Sequence, residues 1–495
     1  MKIFKENFLL LVVFLTGAGV LVIEVVAARI LSPYFGNTIY TYSSVISVIL
    51  AALSIGYYLG GKLSDQKATL KIFFGLIALS GILVLVFHLL SIVVLPYLGS
   101  LLPISYGPLI VSLLLFFTPA VLLGMISPYS IKIQNLINPN EGIGTLTGKI
   151  FFWSTLGSIF GSLFAGFVLI PTFGVSSIMF YTGLFLFLLG TIPALVLKTG
   201  ANSKGVVSTL VLFIIGIFFL NYNNQKLVFS KDGIYENLSV YDVTSDEGRP
   251  VRVFRQDKSV SSAMYLDEKD PTDLVLPYSK YYDLYKYANP NPKYIYIIGG
   301  GTYSLPKVYA YENPNSIVQA IDIEDELIDI SVTYFNLDTR FSNIVPLTGD
   351  GRNYLYNSTQ RYDLVFGDAY GSIYSIPAHL VTKEFFELVR SRLSKDGIFI
   401  ANIIGNLEKS KSEFLTAEMA TFRTVFPSSY FIATESTMSQ DHQNFIFIGT
   451  TGNFDERNFL NDQKVTGKIV NFTTSETKIL TDDFAPVDYL VGKSL

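Results

Sequence analysis

The sequence predicts a multi-pass α-helical membrane domain followed by an α/β domain with a doubly wound sheet, which a small antiparallel β unit precedes. Two observations predict this fold. Residues 1–222 contain long apolar runs and few charges, whereas residues 223–495 hold most of the charged side chains. In the second part, the apolar run 294–298 ends in the glycines 299–301, and the next apolar run ends in Asp322. A strand, a glycine turn, a helix and a second strand with a terminal acid are typical of a doubly wound sheet.

The composition excludes several classes of function. A chain of 495 residues with 50% hydrophobic side chains and a mean hydropathy of +0.42 is too apolar for an ordinary soluble protein. Its net charge of −4 offers no basic field to a nucleic acid. The sequence contains no cysteine, which excludes disulfides and thiolate catalysis, and its three histidines are scattered. We therefore expect neither a metal site nor a nucleic-acid partner.

The first 222 residues read as a bundle of membrane spans. Each apolar segment is close to the ~20 residues that cross a hydrocarbon core. We expect residues 1–222 to form a transmembrane helical domain, residues 223–290 a small β-rich part and residues 291–495 a Rossmann-like domain. About seven spans are predicted, at 8–30, 41–61, 72–95, 107–127, 150–170, 177–197 and 206–221.

Lys residues predict the orientation of these spans, because positive charge is enriched in cytoplasmic loops. The alternate loops 96–106 and 171–176 carry no Lys or Arg, so the N-terminus is predicted to be cytoplasmic. An odd number of spans would place the C-terminal domain outside, whereas nucleoside cosubstrates are normally cytosolic. We expect a multi-pass protein of the cell membrane whose C-terminal domain is cytoplasmic, with 206–221 as the doubtful span. The lysines that carry the pattern are Lys2, Lys5, Lys62, Lys67, Lys71, Lys132, Lys149, Lys198 and Lys204.

Three features of the predicted spans have alternative interpretations. Glu24 lies inside the first span, where a carboxylate is costly and indicates function, unless it pairs with Arg29. His88, near the end of the third span, is interpreted as a hydrogen-bonded structural histidine. Small residues in the fifth span predict close helix packing, at Gly157, Gly161, Ala165 and Gly166.

The second half reads as strands and helices in alternation. Short alternating runs near 240–243, 251–254 and 262–266 predict the small antiparallel unit, and helical character is predicted near 278–288. From residue 293 the pattern is α/β. The predicted strands are 294–298, 316–321, 344–347, 362–366 and 398–402. One predicted helix follows the glycine turn and ends near residue 311, and two others cover 324–335 and 382–393.

The strand ends of this sheet carry the candidate binding residues. Functional groups in doubly wound sheets collect at the carboxyl ends of the strands, and here those ends present Gly299–Gly301, Asp322, Asp350 and Asp368. This set predicts a nucleoside-binding sheet in which Asp322 takes the ribose hydroxyls. Each acid also has a structural interpretation, as a helix cap at Asp322 or Asp368 and as turn chemistry at Asp350.

These residues resemble the spermidine synthase family, the polyamine aminopropyltransferases. The resemblance covers roughly residues 235–450 and keeps the order and spacing of the family's motifs. They stand here as Ile298-Gly-Gly-Gly-Thr-Tyr-Ser304, Ile321-Asp-Ile-Glu324, Gly349-Asp-Gly351, Gly367-Asp-Ala-Tyr-Gly371 and Val381-Thr-Lys-Glu-Phe-Phe386. Further motifs are similar to membrane-fused spermidine synthase-like proteins, some of them described as transporter-like: Thr16-Gly-Ala-Gly, Gly60-Gly-Lys-Leu-Ser-Asp65, Trp153-Ser-Thr-Leu-Gly-Ser158 and Thr481-Asp-Asp-Phe-Ala-Pro-Val487.

The resemblance implies a methyltransferase-type Rossmann-like fold and an aminopropyltransferase of polyamine biosynthesis. Its donor would be decarboxylated S-adenosylmethionine, its product methylthioadenosine and its acceptor an amine such as putrescine, with no permanently bound cofactor. By position, Asp368 would accept the proton and Asp322 would bind ribose. Gly299 and Gly301 would line the cosubstrate, and Asp350 and Gly351 would contact adenine. A lipid bilayer and a second copy of the chain are the other expected partners.

The acceptor end of the motifs departs from the family. Thr302 stands in place of an acid, and so does Gly371. Tyr-His appears as Tyr278-Ser279, and a glutamine is replaced near Ser261. Thr302 and Tyr370 are weaker candidates for substrate binding, and Tyr303, Tyr370 and Tyr374 either line a flatter pocket or pack as ordinary aromatics. Two other functions stay open: a methyltransferase-like enzyme that uses intact S-adenosylmethionine, or a membrane transporter regulated by a polyamine or nucleoside.

Overall fold

The protein divides into two compact units, Met1–Asn224 and Gln225–Leu495. The computed structural model describes residues 2–196, 227–233, 235–369, 376–470 and 477–494. The seventh predicted span, 206–221, lies outside the described residues. So do Tyr370, Gly371 and Tyr374, which the sequence placed near the acceptor.

The N-terminal unit is helical. Five of its described helices are long and apolar enough to cross a membrane by length and composition, or up to six if one bent pair counts as a span. A π-helical turn, Ala165–Leu169, joins two of the helices. The helices are α1 Lys2–Phe35, α2 Ile39–Gln66, α3 Leu70–Leu101, α4 Gly107–Leu115, α5 Phe117–Gly124, α6 Ile126–Ile137, α7 Ile143–Phe164, α8 Ile170–Thr172 and α9 Val175–Val196.

The segment predicted as one span at 107–127 is broken. Gly107–Leu115 and Phe117–Ile137 meet at an angle of 53°. Pro119 explains the break, because proline has no N–H for the helix ladder and its ring collides with the carbonyl four residues earlier, at Leu115. The sequence prediction identified the apolar character of this segment and missed its bend.

Small residues bring α1 and α7 into close contact. A Cβ placed on Gly157 would lie 2.0 Å from the Phe14 carbonyl oxygen, and one on Gly161 would lie 2.3 Å from that of Ala18. Gly166, also predicted to pack, has no atom within 4 Å of its Cβ position. Two of the predicted small residues therefore permit the backbones of α1 and α7 to touch.

His88 is buried in α3 and forms a hydrogen bond through Nε2 with the Ser176 hydroxyl at 3.1 Å. This contact agrees with the structural interpretation of the residue. Glu24 is partly buried in α1.

The C-terminal unit begins with a four-stranded antiparallel sheet in which neighbours along the chain pair with each other. The first of its strands was not anticipated. Its strands are β1 Leu227–Asp232, β2 Asn237–Thr244, β3 Pro250–Gln256 and β4 Ser259–Tyr265.

A seven-stranded sheet follows, in the order β10-β11-β9-β8-β5-β6-β7. The pairs among β7, β6, β5, β8 and β9 are parallel, and β11 is antiparallel to both of its neighbours. This strand order is that of the methyltransferase-type Rossmann-like fold. The strands are β5 Tyr294–Ile298, β6 Ile317–Asp322, β7 Ile344–Thr348, β8 Tyr362–Gly367, β9 Leu393–Gly405, β10 Ser429–Ala433 and β11 Gln443–Thr450.

Helices accompany this sheet, and the helix predicted near 278–288 is a 3-10 helix, Tyr278–Tyr287. Two shorter 3-10 turns cover Thr339–Phe341 and Ala378–Leu380. The α-helices are α10 Ser304–Glu312, α11 Glu326–Tyr334, α12 Gly351–Asn357, α13 Lys383–Arg392, α14 Glu413–Val425, α15 Glu456–Leu460 and α16 Val487–Ser494.

Alternation along the strands builds a core on each face of the large sheet. In β5, Ile295 and Ile297 belong to one buried cluster, whereas Tyr296 and Ile298 belong to the other. Successive side chains of a strand point to opposite faces, so a strand buried on both faces must be apolar throughout. The two cores fix the sheet, and with it the positions of the strand ends.

Candidate functional site

The strand order brings the predicted site residues to one edge of the sheet. The central neighbours β8, β5 and β6 end at Asp368, at the glycine turn and at Asp322. The N–H of Asp368 donates to the Ile298 carbonyl at 2.7 Å, which ties the end of β8 to the end of β5. Beyond β6, β7 leads to Asp350. The arrangement predicted from the sequence is therefore present among the described residues.

The glycine turn after β5 requires glycine at two positions. Gly299 has a φ of +90°, and a Cβ on it would lie 2.2 Å from the Asp368 carbonyl oxygen. Gly301 has a φ of +51°, and a Cβ there would lie 2.6 Å from the Ser262 hydroxyl. Side chains rarely adopt such angles, and here they would also collide with neighbouring atoms. The turn consequently presents bare backbone to the cleft.

Asp322 faces this turn and does not cap a helix. Its carboxylate accepts from the N–H of Gly301 at 3.1 Å and from that of Glu324 at 3.3 Å. The N-cap position of the following helix, α11, is occupied by Asp325 instead, without a capping hydrogen bond from its side chain. Burial raises the pKa of the Asp322 carboxyl, while the backbone donors oppose that change. An anionic acceptor is thus held at the tip of β6, where a pair of hydroxyls could be bound.

Asp350 serves as the N-cap of α12, since its side chain accepts from the N–H of Asn353 at 2.6 Å. Its other oxygen lies 2.8 Å from Nε2 of His379, a partner that the sequence did not reveal. Gly351 is buried, and a Cβ on it would lie 2.5 Å from the Ile298 side chain. The structural role of Asp350 is therefore a helix cap and not the turn chemistry that the sequence analysis gave as its alternative, and the residue stays at the same edge of the sheet.

The late motif 481–487 also reaches this region. The guanidinium of Arg352, the residue after Gly351, donates to Asp482 at 2.7 Å. Asp482 also accepts from the Thr382 hydroxyl at 2.7 Å. The motif therefore holds the start of α13 against α12, next to the predicted nucleoside contacts.

Asp368 lies in the most unusual electrostatic environment of the site. Its Oδ2 accepts from the Tyr278 hydroxyl at 2.9 Å and its Oδ1 from the Asn402 amide at 2.7 Å. Burial raises the pKa of Asp368 to about 6, the two donors lower it, and the charge of Asp322 adds to the rise. A carboxylate whose pKa lies near neutral pH, beside other candidate binding residues, is a candidate general base.

Two asparagines of this site were missed from the sequence. Asn402 donates to Asp368, and the Asn444 amide donates in turn to the Asn402 Oδ1 at 2.8 Å. Both interrupt the apolar alternation of their strands, Ile398–Ile400 in β9 and Ile446–Ile448 in β11. A polar residue at a position that alternation assigns to the core is the signal that could have found them.

Of the weaker candidates, Thr302 is among the described residues and lies at the base of the turn, next to Tyr303. Thr302 is fully buried; its N–H donates to the Ser262 hydroxyl at 3.1 Å, and its own hydroxyl has no partner among the described residues. Tyr303 has a φ of 61° and packs inside the hydrophobic core, in agreement with the aromatic-packing interpretation. Burial and the charge of Asp322 raise the pKa of the Tyr303 hydroxyl.

An acidic trio next to the site has structural partners. Glu324, Asp325 and Glu326 bring carboxylate oxygens within 4.8 Å of one another. Glu324, however, accepts the backbone N–H groups of residues 235 and 236 at 2.6 and 3.0 Å. Glu326 pairs with Lys231 at 2.7 Å. Through these contacts, Glu324 and Glu326 attach the small sheet to the large one, which gives both acids a structural role.

One part of the C-terminal unit is similar to a known family. Residues 282–457 match the family described as spermine/spermidine synthase domain. The match covers the glycine turn, the three acids and both asparagines, and Tyr278 lies outside it.

The chain is also similar to individual proteins. The chain is 31% identical over 205 residues to a polyamine aminopropyltransferase of Vibrio vulnificus, covering 40% of this chain and 66% of the relative. It is 29% identical over 158 residues to one of Chromobacterium violaceum, covering 32% of this chain and 59% of the relative. The chain thus matches less than two thirds of the length of these relatives. A crystal structure of a probable spermidine synthase from Corynebacterium glutamicum aligns at 18% identity and a TM-score of 0.44, covering 52% of this chain and 97% of that chain.

Proposed function

We propose that the protein is an aminopropyltransferase that moves an aminopropyl group from decarboxylated S-adenosylmethionine to an amine. The observation that carries this proposal is Asp368, a buried carboxylate with a pKa of about 6 beside the bare backbone of Gly299. The synthase-family match of the same residues gives the reaction class.

The nucleoside would lie across the strand ends. Asp322 would accept the ribose hydroxyls, since its carboxylate already accepts the N–H of Gly301. Gly299 and Gly301 would let the donor approach the backbone closely, and the region of Asp350 and Gly351 would contact adenine. Acids at this edge also attract a sulfonium or an ammonium.

The reaction requires a general base, and Asp368 is the proposed one. An ammonium has no lone pair, so the acceptor amine must lose a proton before its nitrogen attacks the carbon next to the sulfonium. A new C–N bond forms, the C–S bond breaks, and methylthioadenosine leaves with the bonding electrons. The proton passes to Asp368, which is mostly ionised at pH 7 because its pKa is about 6.

The acceptor is proposed only as an amine, with putrescine as its simplest candidate. The uncharged, fully buried Thr302 lies directly after the glycine turn, so this position supplies no charge to an ammonium. An acceptor whose second polar group is neutral would suit a free hydroxyl at this position.

We further propose that the N-terminal unit spans the cell membrane and that the synthase domain is cytoplasmic. Five long apolar helices and one bent pair support six crossings among the described residues. Six crossings bring the chain at Val196 back to the side of its N-terminus, which the distribution of lysines predicts to be cytoplasmic. The proposal therefore also requires that the predicted span 206–221, outside the described residues, does not cross.

Calorimetric binding to the purified full-length protein tests the proposed reaction. We expect tighter binding of decarboxylated than of intact S-adenosylmethionine, and formation of methylthioadenosine when putrescine or spermidine is added. Preference for intact S-adenosylmethionine and indifference to amines would replace this proposal with a methyltransferase-like one. Failure to bind any of the nucleosides would leave a domain that regulates the membrane unit.

A further inference from the structure

The two oxygens of the Asp368 carboxylate have different partners. Oδ1 receives an amide N–H from Asn402, whereas Oδ2 receives the hydroxyl of Tyr278. An ionised carboxylate only accepts hydrogen bonds, so the Asn402 atom that faces it must be Nδ2. The Oδ1 of Asn402 then faces Asn444, which must supply a donor and does so at 2.8 Å. With Asp368 ionised, these hydrogen bonds are all satisfied when Asn444 donates to Asn402 and Asn402 donates to Asp368.

The register of the two strands fixes the positions of Asn402 and Asn444 relative to each other. In the antiparallel pair of β9 and β11, Asn402 lies opposite Ile446, and Asn444 lies opposite Ile404. The two asparagines are therefore diagonal neighbours on one face of the sheet, within reach of each other. Asn402 is only 3% exposed, so water does not compete for its amide. The orientation of the Asn402 amide is thus set from β11.

We propose that Asn402 and Asn444 are positioning residues that reserve Oδ2 of Asp368 for the transferred proton. This inference rests on the proposed function. A proton on Oδ1 would point at an amide N–H, which becomes an acceptor only if the amides of Asn402 and Asn444 both turn over. A proton on Oδ2 meets a hydroxyl, which rotates and accepts. In the transfer, the N–H bond of the amine breaks, an O–H bond forms at Oδ2, and the Tyr278 hydroxyl turns.

Reversing the direction of the hydrogen bonds that run from Asn444 through Asn402 to Asp368 tests the inference. In Asn444→Asp, the new carboxylate can only accept, so Asn402 turns its Nδ2 away from Asp368 and presents Oδ1 to it. The ionised form of Asp368 then loses a donor and faces an acceptor. Asn444→Leu removes the donor without adding charge, and it keeps the test valid if the first variant does not fold. Asn461→Asp adds a charge at an exposed residue that donates to the Arg457 carbonyl, and serves as the control.

The measurement is an infrared pH titration of the full-length protein without substrate, with the Asp368 band assigned by its loss in Asp368→Asn. Among the described residues, the titratable groups that act on Asp368 are Tyr278 and Asp322, and neither is changed in these variants. We expect the midpoint to rise from about 6 by roughly one pH unit in Asn444→Asp, by less in Asn444→Leu, and not at all in Asn461→Asp.

Unchanged midpoints in both Asn444 variants would overturn the inference, even if the wild type transfers aminopropyl groups. A wild type that titrates as expected but forms no methylthioadenosine would overturn the proposed function instead. The two failures are distinguishable because the titration needs no turnover.

Discussion

Asp368 combines an unfavourable burial with two favourable hydrogen bonds, and the balance places its pKa at about 6. An ordinary aspartate has a pKa of about 3.9, which makes it a weaker base toward an ammonium. The raised pKa increases the proton affinity of the carboxylate and still leaves it mostly ionised at pH 7. One residue thus meets both requirements of a general base.

The pH dependence of transfer follows from this residue. Below a pH of about 6 the carboxyl is protonated and cannot accept a proton, so we expect the rate to fall roughly tenfold per pH unit. Asp368→Asn should lower turnover by at least ~100-fold at every pH and leave nucleoside binding nearly unchanged. Methylthioadenosine formation measured between pH 5 and 8 checks both; surviving turnover in the variant would remove Asp368 from the role of base.

In the proposed function, Asp322 binds the nucleoside and takes no part in proton transfer. We expect Asp322→Ala to weaken nucleoside binding by roughly 10- to 100-fold, because a ribose loses a charged acceptor worth about 1.5–3 kcal/mol. Asp325→Ala is the matched control, since Asp325 is exposed and its side chain does not cap α11. Calorimetry with methylthioadenosine compares the two; equal affinities would contradict the ribose role.

Glu324 shows how an element can be held by one buried acid. Its Oε1 accepts both N–H groups that precede β2, so the small sheet is attached to the end of β6. We expect Glu324→Ala to destabilise this attachment by about 1–3 kcal/mol, because two donors lose their acceptor. Hydrogen exchange at residues 235 and 236 should accelerate in Glu324→Ala and change little in Glu324→Gln, which keeps an acceptor oxygen.

Packing of α1 against α7 depends on Gly161. A side chain there would push into the backbone of Ala18, at a cost of roughly 1–3 kcal/mol. Gly161→Leu should therefore lower the thermal midpoint of the protein in detergent. Gly148→Leu is its control, since Gly148 lies in the same helix with no atom within 4 Å of its Cβ position. Equal midpoints in the two variants would show that this contact does not stabilise the unit.

At the scale of elements, local sequence patterns predicted the features that short-range interactions determine. The strands from 294 to 366 and the acids at their ends were placed within a residue or two, because apolar alternation and glycine turns act over short distances. The strand predicted to end at Asn402 instead continues to Gly405. Asn402 in this strand accepts a hydrogen bond from Asn444 on a later strand, and no local sequence pattern predicts that contact.

The break at Pro119 and the 3-10 helix at Tyr278–Tyr287 were missed for a related reason. A hydropathy profile averages over a span and does not register a bend, and helical periodicity over ten residues does not separate i+3 from i+4 bonding. The contact of Tyr278 with Asp368 depends on that helix, so its role required coordinates.

At the scale of the whole molecule, the orientation of the two units is open to a direct experiment. Because the sequence contains no cysteine, single introduced cysteines report their side of the membrane without background. We expect an impermeant maleimide added to intact cells to label Ser100→Cys and to spare Gln66→Cys and Asn461→Cys, all at exposed positions. Labelling of Asn461→Cys would place the synthase domain outside.

The dependence of Asp368 on β11 has a consequence for how the protein is made. The glycine turn, Asp322 and Asp368 leave the ribosome well before Gln443–Thr450, the strand that carries Asn444. A nascent chain that ends before this strand lacks the residue that donates to Oδ1 of Asn402. Under the proposed function, the order of synthesis therefore makes the binding residues first, and the hydrogen bonds that orient the base are completed only when the last described strand has been added.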